Sequence, residues 1–120
     1  MYEVCIQRHF DAAHYLRNYG GRCENLHGHR WQIVVCVAVD DLNETELAFD
    51  FTKLKRVVDG ILAGFDHVCL NDTPPFDVLN ATSENIARVI YERVAAELPQ
   101  VRVSKVTAYE SPDAWVTYTG

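Results

Sequence analysis

The sequence predicts an α+β fold in which a four-stranded, mainly antiparallel sheet carries two helices on one face, in the order β-β-α-α-β-β. Three observations lead there. Apolar and polar residues alternate over residues 2–14 and 27–39, the period becomes helical after Phe51 and again after Ser83, and two more alternating runs close the chain. At 120 residues, 48% of them hydrophobic and 23% charged, the chain fits one globular domain over residues 1–120 and leaves no room for a second core.

In the first strand Tyr2, Val4, Ile6, Phe10 and Ala12 share one parity, with Arg8 the exception. The second strand is clearer, with Trp31, Ile33, Val35, Val37 and Val39 on one parity. Between them Asn18-Tyr19-Gly20-Gly21-Arg22 reads as a loop by its turn residues. Leu54, Val57, Val58, Ile61, Leu62 and Phe65 then follow the spacing of an amphipathic helix that ends near Gly64. Residues 66–81, with Pro74 and Pro75, read as one long loop, a length often tied to function. Thr82 or Ser83 caps a second helix, Glu84 suits its first turn, and Ile86, Val89, Ile90, Val94 and Leu98 form its inner face. Strands over 101–110 and 114–119, joined by Ser111-Pro112-Asp113, complete the sheet. Its edges would stay open, and pairing between subunits is one way to close them.

Composition excludes several functions. The net charge is −6 and no run of Lys or Arg occurs, whereas a nucleic-acid binder shows a basic patch. No apolar stretch approaches the roughly 20 residues of a membrane span, and the start lacks a signal peptide's pattern, so a cytoplasmic protein is expected. Arg8, Arg17, Arg22 and Arg30 recur near the histidines and could serve a small anionic ligand, or stand as solvated charges. Four cysteines at 5, 23, 36 and 69 without a C-x-x-C pair argue against a disulfide framework in that compartment. Cys5, Cys36 and Cys69 sit in apolar runs, as small buried hydrophobes do. Cys23 lies in a glycine-containing loop and is placed like a reagent.

His27-Gly28-His29 carries the strongest local signal. Residues i and i+2 of a strand project from one face about 7 Å apart, so two imidazoles can converge on an ion at zinc–nitrogen distances of about 2.0–2.1 Å. Gly28 leaves the opposite face bare, allowing another backbone to approach. His14 ends the neighbouring strand on the parity of Phe10 and Ala12 and supplies a third ligand, while His9, of opposite parity, faces solvent or a subunit contact. Three histidines with no fourth protein ligand make a catalytic zinc site with an open position. Alone, an H-x-H pair is a weak motif; His14 and Cys23 strengthen it. Cys23, four residues before His27, would have its thiol pKa lowered by a nearby cation and could take a proton; as a fourth ligand it would instead close a structural site. Asp66-His67 suits a proton relay, or a helix-end cap. Glu110, on the apolar parity of Val106 and Ala108, needs a basic partner or a ligand, such as the N–H/NH₂ edge of a heterocycle.

Six blocks together resemble the 6-pyruvoyltetrahydropterin synthase and 6-carboxytetrahydropterin synthase family. They are Phe10-Asp11-Ala12-Ala13-His14, Cys23-Glu24-Asn25-Leu26-His27-Gly28-His29, Phe49-Asp50-Phe51, Phe65-Asp66-His67-Val68-Cys69-Leu70-Asn71-Asp72, Asn80-Ala81-Thr82-Ser83-Glu84-Asn85 and Tyr109-Glu110-Ser111. The resemblance implies the tunnelling fold, with subunits joined edge to edge in a barrel, a homohexamer of two stacked trimers, and active sites at subunit interfaces. It also implies zinc on His14, His27 and His29, Cys23 as base, Asp66 and His67 activating it or returning protons, and Glu110 anchoring the pterin with help from Thr82 and Ser83.

Within the family the C-x-x-x-H-G-H spacing resembles the branch that makes 6-carboxytetrahydropterin for queuosine and other deazapurines. Its substrate would be dihydroneopterin triphosphate, which loses acetaldehyde and triphosphate; the pyruvoyl branch has a longer gap before H-G-H. Glu24 stands where a folate-linked branch carries a catalytic Glu and releases 6-hydroxymethyl-dihydropterin, so Cys23 and Glu24 side by side resemble a subgroup serving both pathways. Ala81 replaces a frequent Pro and Ser111 a frequent Thr. A pterin-binding module without catalysis is the alternative from another class; it predicts loss of metal or base residues, yet all are present.

Overall fold

The computed structural model describes residues 1–120, except for the side chain of Cys23. Strands β1 (Tyr2–His14) and β2 (His27–Val39) pair antiparallel over their full length, from Tyr2 opposite Val39 to His14 opposite His27. Their alternation fixes this register, because a slip of one residue would turn every buried side chain to the wrong face. Asn18 and Gly20, with φ of 61° and 78°, help turn the chain between them.

Helix α1 (Phe51–Leu62) starts at Asp50, whose side chain accepts the Thr52 N–H at 2.8 Å. It buries Leu54, Val58, Ile61 and Leu62 and packs over β1. Helix α2 (Ser83–Glu97) is capped by the Thr82 hydroxyl, which accepts the Asn85 N–H at 3.1 Å. It lays Ile86, Val89, Ile90 and Val94 against β4 (Arg102–Ser111) and β5 (Ala114–Tyr118). Both helices thus cover the face that carries Phe10, Trp31, Ile33, Val35 and Val106. Arg8 breaks the apolar parity of β1 because its guanidinium reaches Asp59 of α1, at 2.7 and 3.0 Å.

The sheet has five strands rather than the four expected, in the order β3-β1-β2-β4-β5. The addition, β3 (Val68–Cys69), runs parallel to β1 at Ala12 and Ala13. Two residues are too few to show a period, so the long loop concealed it. That loop is also well tied down. Phe76 is buried in the core, and the Arg17 guanidinium donates to the carbonyls of Phe76, Val78 and Leu79. Asn71 and Asn80 use their amides like backbone, each bonding both the N–H and the carbonyl of Tyr15 or Arg17.

The cysteine reading needs correction. Cys5 and Cys36 form a disulfide across β1 and β2, with Cα atoms 4.1 Å apart. The register brings them together: they are direct partners on the face away from the helices. Neither the spacing of the cysteines nor the expected compartment reveals that pairing. Cys69 is a free thiol in β3. Among the described residues, no helix is long and apolar enough to cross a membrane.

Candidate metal centre and active site

The full pairing of β1 with β2 sets His14 opposite His27, and His29 follows two residues on, on the same face. The ring centroids lie 4.5, 5.2 and 4.7 Å apart, and one ring nitrogen from each falls within 4.8 Å of the others. His14 is fully buried; His27 and His29 are half-buried.

Tautomers follow from the neighbours. His14 Nδ1 lies 2.7 Å from the Ala81 carbonyl, and His27 Nδ1 lies 2.6 Å from that of Asn25. A carbonyl only accepts, so both Nδ1 atoms carry the proton and both Nε2 atoms present a lone pair. The Nε2 atoms of His14 and His29 are buried with no hydrogen-bond partner among the described residues. Burial, foremost, holds both imidazoles below the usual histidine pKa, with the neighbouring His27 adding to the shift. Converging imidazole nitrogens, two of them buried without a partner, suit a metal such as zinc, so the residues present fit the ion that the motifs imply.

Glu110 comes to the same place from β4. Its Oε1 is 3.6 Å from His29 Nε2 and its Oε2 is 3.9 Å from His14 Nε2. The Ser83 hydroxyl donates to Oε2 at a long 3.5 Å. Beside them a cavity of about 290 Å³ opens between Leu16, Tyr19, Asn80, Thr82, Ser83 and Glu110. The hydroxyl of Thr82 is engaged as the cap of α2, whereas Ser83 faces the site.

Cys23 lies in a short 3-10 turn, Arg22–Glu24, and its side chain lies outside the described residues. Glu24 does not reach toward the histidines. Its Oε1 accepts the N–H groups of Tyr19 and Gly20 at 2.7 and 2.8 Å, which closes the loop that carries Cys23. The sequence motif placed a carboxylate beside the cysteine but carried no sign of this local use.

Asp66 and His67 are elsewhere. The His67 N–H donates to the Asp11 carbonyl at 2.6 Å, the Asp11 N–H donates to Asp66 Oδ1 at 3.0 Å, and His67 Nδ1 lies 2.9 Å from the same oxygen. The pair is therefore docked on β1 and is not a cap of α1. His67 adopts φ of 58° and leaves 78% of its side chain exposed. Asp66 is held below the usual carboxylate range, first by the Asp11 N–H and then by His67. Among the described residues these two group with Asp11, on the opposite parity to His14, and not with the three histidines. Among the described residues Gly28 has no close neighbour, since an added Cβ would meet only the Ala12 carbonyl at 4.0 Å.

Three of the four arginines are engaged within the chain: Arg8 holds Asp59, Arg17 holds loop carbonyls, and Arg30 pairs with Asp11 at 2.9 and 3.0 Å; Arg22 is exposed. Trp31, fully buried in the core, also belongs to the site. It stands edge-on to His14 and His29, with centroids 5.0 and 5.5 Å away, and walls the cluster from below. Its shared parity with His27 and His29 was the available signal.

Comparisons with known proteins agree with this geometry. The family model described as 6-pyruvoyl tetrahydropterin synthase matches residues 3–120. The chain is 30% identical over 126 residues to the 6-carboxy-5,6,7,8-tetrahydropterin synthase of Bacillus subtilis, covering 98% of this chain and 84% of that one. It is 37% identical over 108 residues to the dihydroneopterin monophosphate aldolase of Pyrococcus furiosus, covering 89% and 88%. The solved structure of Caenorhabditis elegans 6-pyruvoyl tetrahydropterin synthase superposes with a TM-score of 0.85 at 30% identity, covering 100% of this chain and 97% of that one. With its two helices on one face of the sheet and its histidines at the meeting of β1 and β2, the chain adopts the tunnelling fold and belongs to the 6-pyruvoyl tetrahydropterin synthase family.

Proposed function

We propose that the chain is a zinc-dependent 6-carboxytetrahydropterin synthase, converting dihydroneopterin triphosphate to 6-carboxytetrahydropterin with loss of acetaldehyde and triphosphate. The observation that carries this is the set of unpartnered imidazole nitrogens at His14 and His29, with His27 beside them, close to the Glu110 carboxylate, which in turn lines a cavity. His14, His27 and His29 would hold zinc, which when bound supplies Lewis acidity toward the substrate's side-chain hydroxyls.

The remaining roles belong to the protein. Glu110 accepts hydrogen bonds from the N–H and NH₂ edge of the pterin, and Ser83 steadies the ring in the adjoining cavity. Cys23 would take the proton from the carbon next to a hydroxyl, acting as a thiolate base. Glu24 fixes the loop from which Cys23 acts. Asp66 and His67 point away from the centre of their own chain, so they would serve the Cys23 of a neighbouring copy in a homo-oligomer, the hexamer that the family resemblance implies. The exposed His67 and the bare face of Gly28 support that arrangement.

A second reading, formation of 6-hydroxymethyl-dihydropterin, is favoured by the similarity to the Pyrococcus aldolase and by the Cys23-Glu24 pair. Incubating zinc-loaded protein with dihydroneopterin triphosphate and identifying the products decides between them. 6-Carboxytetrahydropterin with acetaldehyde supports the synthase. Hydroxymethylpterin as the main product supports the second reading, and unchanged substrate leaves neither.

A further inference from the structure

The atoms that face one another at the mouth of the cluster are an uneasy set. Glu110 Oε1 and Oε2 stand 3.6 and 3.9 Å from His29 Nε2 and His14 Nε2. The Ala81 carbonyl fixes the His14 proton on Nδ1, so the Nε2 that looks at Glu110 presents a lone pair. A carboxylate oxygen is also an acceptor. Two acceptors at this separation, beside the fully buried His14, repel unless something positive lies between them.

The other ties on Glu110 are slight. Its contact with Ser83 is 3.5 Å, at the limit of a hydrogen bond, and its side chain is 34% exposed. It also lines the cavity that runs toward Leu16 and the start of α2. The carboxylate therefore has two places to go, one against the imidazoles and one in the open cavity.

We propose that Glu110 works at two stations: in the substrate-free protein its carboxylate completes the metal's protein ligands together with His14, His27 and His29, and an arriving pterin draws it away to the ring's N–H edge. The centre would thus be closed at rest and would open its coordination position only when the ring that Glu110 recognises is present. This role is distinct from anchoring alone, in which Glu110 would leave metal affinity untouched. It rests on the reading that the cluster holds a metal and that the cavity takes a pterin.

Metal affinity in the absence of substrate, measured by chelator competition, tests the first station. Glu110→Gln, which keeps the shape and removes the charge, is expected to weaken zinc binding about tenfold or more, the scale seen when even outer partners of a metal site are removed. The wild-type protein loaded with cobalt tests the second station and needs no variant. Adding a pterin without a C6 side chain, which can occupy Glu110 but brings no hydroxyls, is expected to change the visible cobalt bands. Equal zinc affinity in wild type and Glu110→Gln, or cobalt bands unmoved by a pterin shown to bind, overturns the two-station role while the three-histidine centre stands. Failure of wild-type protein to take up either metal removes the centre itself, and this role with it.

Discussion

The histidine cluster and the Asp66-His67 pair both meet β1, one at His14 and the other at Asp11, yet they are built differently. At the cluster, strand register, backbone carbonyls and the Trp31 wall hold the rings, and the Nε2 atoms of His14 and His29 are left buried without a partner among the described residues. At the pair, hydrogen bonds with the Asp11 backbone hold Asp66 and His67 in place while the His67 ring is mostly exposed. One region is complete within a chain; the other is anchored by its chain and aimed outside it. The contrast fits the proposal that each copy lends a proton-relay arm to a neighbour's metal centre.

The largest effect should follow from breaking the complete region. His29→Ala is expected to abolish stoichiometric zinc and activity together, while the protein remains folded, as metal analysis and circular dichroism would show; a folded variant that keeps its zinc would contradict the ligand assignment. Next come the two halves of the proposed relay. Cys23→Ala and His67→Ala should each lower turnover by about 10²–10⁴-fold with zinc content unchanged. Refolding the two inactive variants together should restore activity, because some interfaces then pair an intact Cys23 with an intact His67. A mixture as inactive as its parts would mean that one chain supplies both residues to a centre, contrary to the shared arrangement.

Smaller effects sharpen the contrast. Glu24→Ala frees the N–H groups of Tyr19 and Gly20, and should lower turnover less than Cys23→Ala does, with partial rescue by Glu24→Gln. A loss as deep as that of Cys23→Ala, unrescued by Gln, would mean that Glu24 itself moves protons. Asn80→Ala removes both bonds to Arg17 and should cost about 1–3 kcal/mol in denaturant unfolding, since it strands backbone groups near the site.

The pH dependence has a definite sign. Burial lowers the folded-state pKa of His14 and His29, so the unfolded chain binds more protons than the folded one as pH falls through the ordinary value. Metal-free protein should therefore be most stable above a pH of about 6.5 and lose stability below it. Asp66, depressed by the Asp11 N–H, adds a loss at lower pH, as its carboxylate protonates. A melting temperature for metal-free protein that rises on acidification would contradict the burial of these rings.

Much of this was legible in the sequence where a short-range pattern encodes it. Alternation gave β1 and β2 to the residue, and helical spacing gave the buried faces of both helices. The H-x-H spacing and the parity of His14 were enough to bring three rings to one face. Contacts that depend on register or on distant backbone were hidden. Cys5 meets Cys36 only because the two strands pair as they do, and β3 is recognisable only beside β1. No residue type announces the Ala81 carbonyl under His14, or a Glu24 whose carboxylate is occupied by its own loop.

X-ray absorption at the zinc edge on substrate-free protein is the most direct test. One zinc per chain, with three imidazole nitrogens at about 2.0–2.1 Å and the remaining ligand an oxygen, is the predicted result. A sulfur in the shell would make Cys23 a ligand rather than a base, and zinc well below one per chain would remove the centre on which the chemistry depends.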